Sequence, residues 1–135
     1  MAERLQLATR ESPPLWVIGV VGYDDILMPS GERVHQLGGA AAYASIAASY
    51  FTKTSLVSLV GSDFSQEDEK QFTLRGIDLR AFKKIPGKTF YWKARYSEGF
   101  KSRETLELEL NVYKEFRPDY PENLSSYVFL SNMDP

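Results

Sequence analysis

Apolar and polar positions fall into two textures along this chain. In the first, short continuous apolar runs alternate with helix-favouring stretches. Residues 16–21 (WVIGVV) form an apolar run rich in β-branched side chains, the pattern of a strand buried on both faces. Asp24, Asp25, Ile26 and Leu27 lead into a turn at residues 29–32, and residues 33–37 return from it. This spacing predicts a short hairpin or ribbon. Gly38 and Gly39 open residues 40–50 (AAAYASIAASY). Alanine loses least on entering a helix. A segment small and apolar nearly all round predicts a buried helix packed closely on a sheet. Residues 54–60 (TSLVSLV) predict the next buried strand, ending at Gly61, Ser62 and Asp63. An amphipathic helix is expected over residues 65–75. Ser65 can cap it, Glu67, Asp68 and Glu69 suit its first turn, and Gly76 suits its stop. Residues 77–85 read as a partial strand.

The second texture follows Pro86 and Gly87. Residues 89–96 (TFYWKARY) alternate, with Phe90, Trp92, Ala94 and Tyr96 opposed to Tyr91, Lys93 and Arg95. Residues 104–112 (ETLELELNV) alternate too. A period of two marks strands with one wet face. Paired antiparallel, they would set Lys93 and Arg95 against Glu107 and Glu109. The apolar faces then need cover from the first layer or from a second subunit. Residues 127–130 (YVFL) read as another buried-type strand. Strands alternating with helices imply an α/β layer with parallel strands.

Composition narrows the function classes. At 135 residues, with 43% apolar and 25% charged positions, the chain is the size of one globular domain. The net charge is -2 and the basic residues are scattered, which argues against a nucleic-acid partner. The absence of cysteine excludes a disulfide framework, a thiol nucleophile and a thiolate metal site. Residues 1–15 read as a charged leader without a signal-peptide core, and no run is long enough to span a membrane. A cytoplasmic protein is the expectation.

In open α/β sheets ligands bind outside the carboxyl ends of the strands. That rule selects Tyr23, Asp24 and Asp25, then Gly61, Ser62 and Asp63, then Asn132 and Asp134. Gly38 and Gly39 stand at a helix N-terminus, where backbone N–H groups are free. Carboxylate acceptors and amide donors together suit a polyhydroxylated ligand. Other residues read more simply. Asp63 precedes a helix as a capping residue does. His35, the single histidine, has no partner at recognisable spacing and reads as structural or solvated. The stripe of Phe90, Trp92 and Tyr96 reads as core or interface rather than as a stacking platform for bases. Asp24 and Asp25 have no further ligand at metal-site spacing, so no metal site is expected.

These residues, taken in order, resemble the first signature region of the PfkB (ribokinase-like) carbohydrate kinases. A buried strand is followed by Asp24. A Gly38-Gly39 pair leads a small-residue helix. A strand closes with Val60-Gly61-Ser62-Asp63-Phe64, followed by a helix and then Arg75-Gly76-Ile77-Asp78-Leu79. The resemblance implies an α/β fold, a ribokinase-like three-layer sandwich with a small β lid, present here in truncated form. The core would take residues 16–23, 38–87 and 112–135, and the lid ribbons residues 24–37 and 88–111. The family transfers the γ-phosphoryl group of ATP to a sugar or nucleoside hydroxyl with Mg²⁺. By resemblance Asp24 bonds substrate hydroxyls, Gly38 and Gly39 bring backbone close to the substrate, and Asn132 and Asp134 lie near the active site. Tyr43 stands where many members have asparagine, another substrate contact; tyrosine is larger and offers one hydroxyl. The lid implies a possible homodimer.

The family's second signature, with its Gly-Ala-Gly-Asp anion hole and catalytic aspartate, has no counterpart in this chain. The expectation is therefore the substrate-binding half of a kinase, inactive alone, with ATP and Mg²⁺ belonging to the full-length parent. An alternative is a non-catalytic sugar-binding or dimerising module derived from a kinase. A dinucleotide-binding domain fits poorly, since Gly19 and Gly22 lead to Asp24 and Asp25 rather than directly into a helix.

Overall fold

A computed structural model describes residues 15–118 and 126–131. Asn132 and Asp134, expected near the site, lie outside the described residues.

Two sheets organise the chain. The first is parallel, in the order β5-β4-β1-β8, from β1 (Leu15–Ile18), β4 (Thr54–Gly61), β5 (Phe82–Ile85) and β8 (Tyr127–Leu130). The second runs β3-β2-β6-β7, from β2 (Gly22–Leu27), β3 (Arg33–Gly38), β6 (Phe90–Tyr96) and β7 (Arg103–Glu109). Within it β2 pairs antiparallel with β3 but parallel with β6, and β6 pairs antiparallel with β7. The two ribbons expected from sequence are thus one continuous sheet. It takes in Gly22, Tyr23 and Gly38, which had been expected in the core.

The apolar run at residues 16–21 is not one strand. The chain bends at Gly19, so Val17 stays in the parallel sheet while Gly22 starts the second. Val17, Leu56 and Val60 face α1 (Ala40–Ala48) and α2 (Gln66–Thr73), and with Val21, Ala41, Ala42, Phe64, Phe72 and Ile77 they form the main core. Small residues let α1 sit close, but only one side of it is buried: Ala41, Ala42 and Ser45 point in, while Tyr43 is 56% exposed. The expected buried helix thus packs closely on the sheet but is buried on one side only. α2 follows its sequence signals: Ser65 Oγ accepts from Asp68 N at 3.1 Å, and Gly76 takes a φ of +70° just past the end.

A second small cluster, Val20, Phe90 and Tyr113, joins the two sheets, with Trp92, Leu110 and Phe116 packed against it. Tyr113 comes from a 3-10 turn at Asn111–Glu115 that follows β7. In the β6–β7 ribbon Lys93 faces Glu107 as expected. An irregularity between Lys93 and Ala94 then shifts the register, so Arg95 faces Glu104, with Nη1 and Oε2 3.2 Å apart, rather than Thr105; Glu109, expected opposite Lys93 or Arg95, faces Tyr91. β8 bonds to β1, and its Tyr127, Val128, Phe129 and Leu130 are all exposed. Just beyond it, buried Ser131 is tied to the Ile18 carbonyl by its amide at 2.9 Å and its hydroxyl at 2.8 Å. Among the described residues no helix is long and apolar enough to cross a membrane.

Candidate substrate-binding site

Side chains alternate across a sheet, so the adjacent residues Asp24 and Asp25 of β2 point to opposite faces. The two carboxylates have opposite fates. Asp25 is 1% exposed and fully partnered. It accepts from Tyr91 Oη at 2.6 Å and from the Arg33 guanidinium, and His35 Nδ1 lies 2.5 Å from its other oxygen. Burial alone would raise its pKa, but donation by Tyr91, Arg33 and His35 outweighs that and holds the carboxyl well below the usual range. His35 therefore acts as a structural partner.

Asp24 is 9% exposed, and among the described residues none donates a hydrogen bond to its carboxylate. Burial first, then the charge of Asp25, pushes its pKa from 3.8 up to about 6. Its oxygens are not themselves fully buried, so water can satisfy them in the free protein and a ligand hydroxyl could take that place.

The surroundings of Asp24 bring the expected residues together. Its carboxylate lies against Gly38, where any Cβ would overlap it. Gly39 holds a φ of +95°, a region that side-chain-bearing residues rarely adopt, and a Cβ there would strike the Val20 carbonyl. That same carbonyl accepts from Ala41 N at 3.0 Å, fixing the start of α1. Tyr43, one turn into the helix, feels the charge of Asp24: burial first, then Asp24 and Tyr96, raises its hydroxyl pKa. Gln36, paired with Asp24 across β2 and β3, donates from Nε2 to Tyr43 Oη at 3.2 Å. Trp92 is the register partner of Asp24 on the other side, in β6. Gln36 and Trp92 were missed as site residues. Their proximity to Asp24 depends on strand register, which the sequence pattern did not reveal.

The loop after β4 has a different role. Asp63 Oδ1 accepts from Thr89 N at 2.8 Å and from Thr89 Oγ1 at 2.6 Å, while Gly61 N donates to Thr89 Oγ1 at 3.0 Å. Asp63 thus clamps the start of β6 and does not cap α2, whose cap is Ser65; its reading as a capping residue is corrected. Tyr23 likewise donates to Asp68 at 2.7 Å and accepts from Ser65 N at 3.1 Å. These contacts floor a cleft of 660 Å³ between the second sheet and the start of α2, lined in part by Tyr23, His35, Asp63, Lys88, Tyr91 and Glu109. Asp24, Gly38, Gly39 and Tyr43 do not line it. Of its acids, Asp63 and Asp68 are engaged in those structural bonds, whereas the Asp24 carboxylate has no donor among the described residues and marks the better candidate site.

No family model matches the sequence. A cytidine kinase of Thermococcus kodakarensis is 39% identical over 85 residues, 62% of this chain and 30% of that protein. A Burkholderia thailandensis nucleoside kinase solved with inosine superposes with a TM-score of 0.65 at 11% identity, over 75% of this chain and 38% of its own. A Cryptococcus neoformans var. grubii ribokinase solved with ADP gives a TM-score of 0.64 at 16% identity, over 88% of this chain and 40% of its own. The chain therefore has the α/β fold of the ribokinase-like nucleoside and sugar kinases. It spans less than half the length of each of these proteins.

Proposed function

We propose that this chain is the substrate-binding half of a ribokinase-like kinase and that the acceptor held at Asp24 is a nucleoside. The observation that carries this is the Asp24 carboxylate, 9% exposed, unpartnered among the described residues and packed on Gly38. A ribose ring offers vicinal hydroxyls to such an acceptor, and Tyr43 and Gln36 supply further polar groups beside it. The likeness to a cytidine kinase and to a kinase solved with inosine supports a nucleoside over a free sugar.

ATP and Mg²⁺ belong, on this reading, to the portion of the kinase that this chain does not span. Among the described residues no group of three or more His, Asp or Glu could hold a metal ion. Asp25 faces away from Asp24 and is engaged with Arg33, His35 and Tyr91. The described residues thus do not make a Mg²⁺ site. In-line phosphoryl transfer needs a base and preorganised donors for the phosphoryl oxygens. The expected contribution of this chain is acceptor binding and orientation.

Calorimetric titration of the full chain with cytidine, inosine and ribose tests the proposal. Binding by the native chain and its loss in Asp24→Ala, with the urea midpoint retained, is the expected result. Unchanged affinity in Asp24→Ala would show the site to be elsewhere. ATP-dependent phosphorylation of cytidine by the purified chain would overturn the half-site reading.

A second reading, a non-catalytic module that dimerises through the second sheet, draws on the exposed Leu106 and Leu108 of edge strand β7. Sedimentation equilibrium would show a dimer that Leu108→Glu dissociates; a monomer at all concentrations would remove it.

A further inference from the structure

Trp92 has no place in the main core, yet it is held on the face of the second sheet that Asp24 occupies. The two residues are direct register partners across the parallel β2–β6 pair. Neighbouring strands lie about 4.8 Å apart and register partners share a face, so the indole springs from the sheet beside the unpartnered carboxylate. One part of the ring packs on the Val20, Phe90 and Tyr113 cluster. Its Nε1 donates to Thr105 Oγ1 at 3.2 Å, and the Arg103 guanidinium carbon lies 5.2 Å from the ring centroid. Thr105 and Arg103 both belong to β7, which lies on the opposite side of β6 from β2. The polar edge of the indole is thereby satisfied and held from the far side. No aromatic pair among the described residues includes it.

We infer that Trp92 is the base-stacking wall of the Asp24 site and sets its preference for nucleosides over free sugars. This rests on the nucleoside reading above. With ribose hydroxyls on Asp24, the ring attached to the sugar falls to the neighbouring strand, where half-buried Trp92, with Thr105 on its Nε1 and the Arg103 guanidinium over one face of its ring, would take the base on the opposite face. An ordered aromatic face stacks on a base with little further loss of side-chain freedom, and stacking tolerates different bases because each has a π-face. The same wall contributes nothing to a lone pentose. Trp92 is a specificity-determining residue in this scheme and takes no part in phosphoryl transfer.

The test titrates cytidine and ribose into the full chain and into Trp92→Ala and Trp92→Phe. Removing a stacked aromatic is worth roughly tenfold to hundredfold in affinity. Expected are tighter binding of cytidine than of ribose, a loss of that size for cytidine in Trp92→Ala, unchanged ribose binding, and most of the cytidine affinity retained in Trp92→Phe. A Trp16→Phe chain, leaving Trp92 as its one tryptophan, reads the stacking directly as cytidine-dependent quenching, whatever the folding of Trp92→Ala. Cytidine binding without quenching, or equal losses for cytidine and ribose in Trp92→Ala, overturns the stacking role and leaves the nucleoside reading standing. A chain that binds ribose but not cytidine, or neither, overturns the nucleoside reading itself.

Discussion

Asp24→Asn should stabilise the free protein while removing its ligand affinity, and the stabilisation should depend on pH. In the folded chain the Asp24 pKa rises from 3.8 to about 6, because the group is 9% exposed, next to charged Asp25 and without a donor. A rise of that size corresponds to at most about 3 kcal/mol against the ionised form, and solvent reaching the carboxylate screens part of it. Asparagine carries no charge, but its amide is a buried polar group that costs roughly 1 kcal/mol or more where unpaired. The net gain expected at pH 8 is therefore about 1–2 kcal/mol. The folded state binds the extra proton between the two pKa values, so the penalty is absent below about pH 4, grows as pH rises through about 6, and is complete above it. Urea unfolding of both chains at pH 4.5 and pH 8 measures the difference. The expected result is a clear advantage for asparagine at pH 8 that shrinks toward zero or reverses at pH 4.5. An advantage of equal size at both pH values, or a loss at pH 8, would refute the reasoning.

Two further substitutions probe the same sheet. Gly38→Ala places a methyl group where the Asp24 carboxylate lies, so it should displace that side chain and abolish ligand binding at a cost of about 1–3 kcal/mol, read by titration and urea unfolding. Asp25→Ala removes the acceptor of Tyr91, Arg33 and His35 and should cost about 3 kcal/mol at pH 7. Because the folded Asp25 pKa is depressed, that contribution is present above about pH 4 and lost on further acidification. A loss below 1 kcal/mol at pH 7, or one independent of pH down to 2, would count against it.

The sequence alone determined the elements whose signals are local. β4 is legible as a β-branched run because a strand buried on both faces needs no polar position. α2 is legible from Ser65, its acidic first turn and Gly76, because capping acts within a few residues. Asp24, Gly38, Gly39 and Tyr43 could be named together from an ordered motif, and the structure sets Gly38 and Tyr43 beside the Asp24 carboxylate while Gly39 packs on the Val20 carbonyl.

What only the tertiary structure decided is long-range. The bend at Gly19 ends β1 within the apolar run and leaves Val20 and Val21 as the connection to the second sheet, since both halves of the run are buried and burial is all that the pattern records. The parallel pairing of β2 with β6 turns two ribbons into one sheet and sets Trp92 beside Asp24. No local propensity encodes that register, because it follows from how the sheet as a whole covers the core. The same alternation assigns the adjacent Asp24 and Asp25 to opposite faces. One is clamped by three partners and the other is left unpartnered, a difference in environment that two identical letters cannot carry.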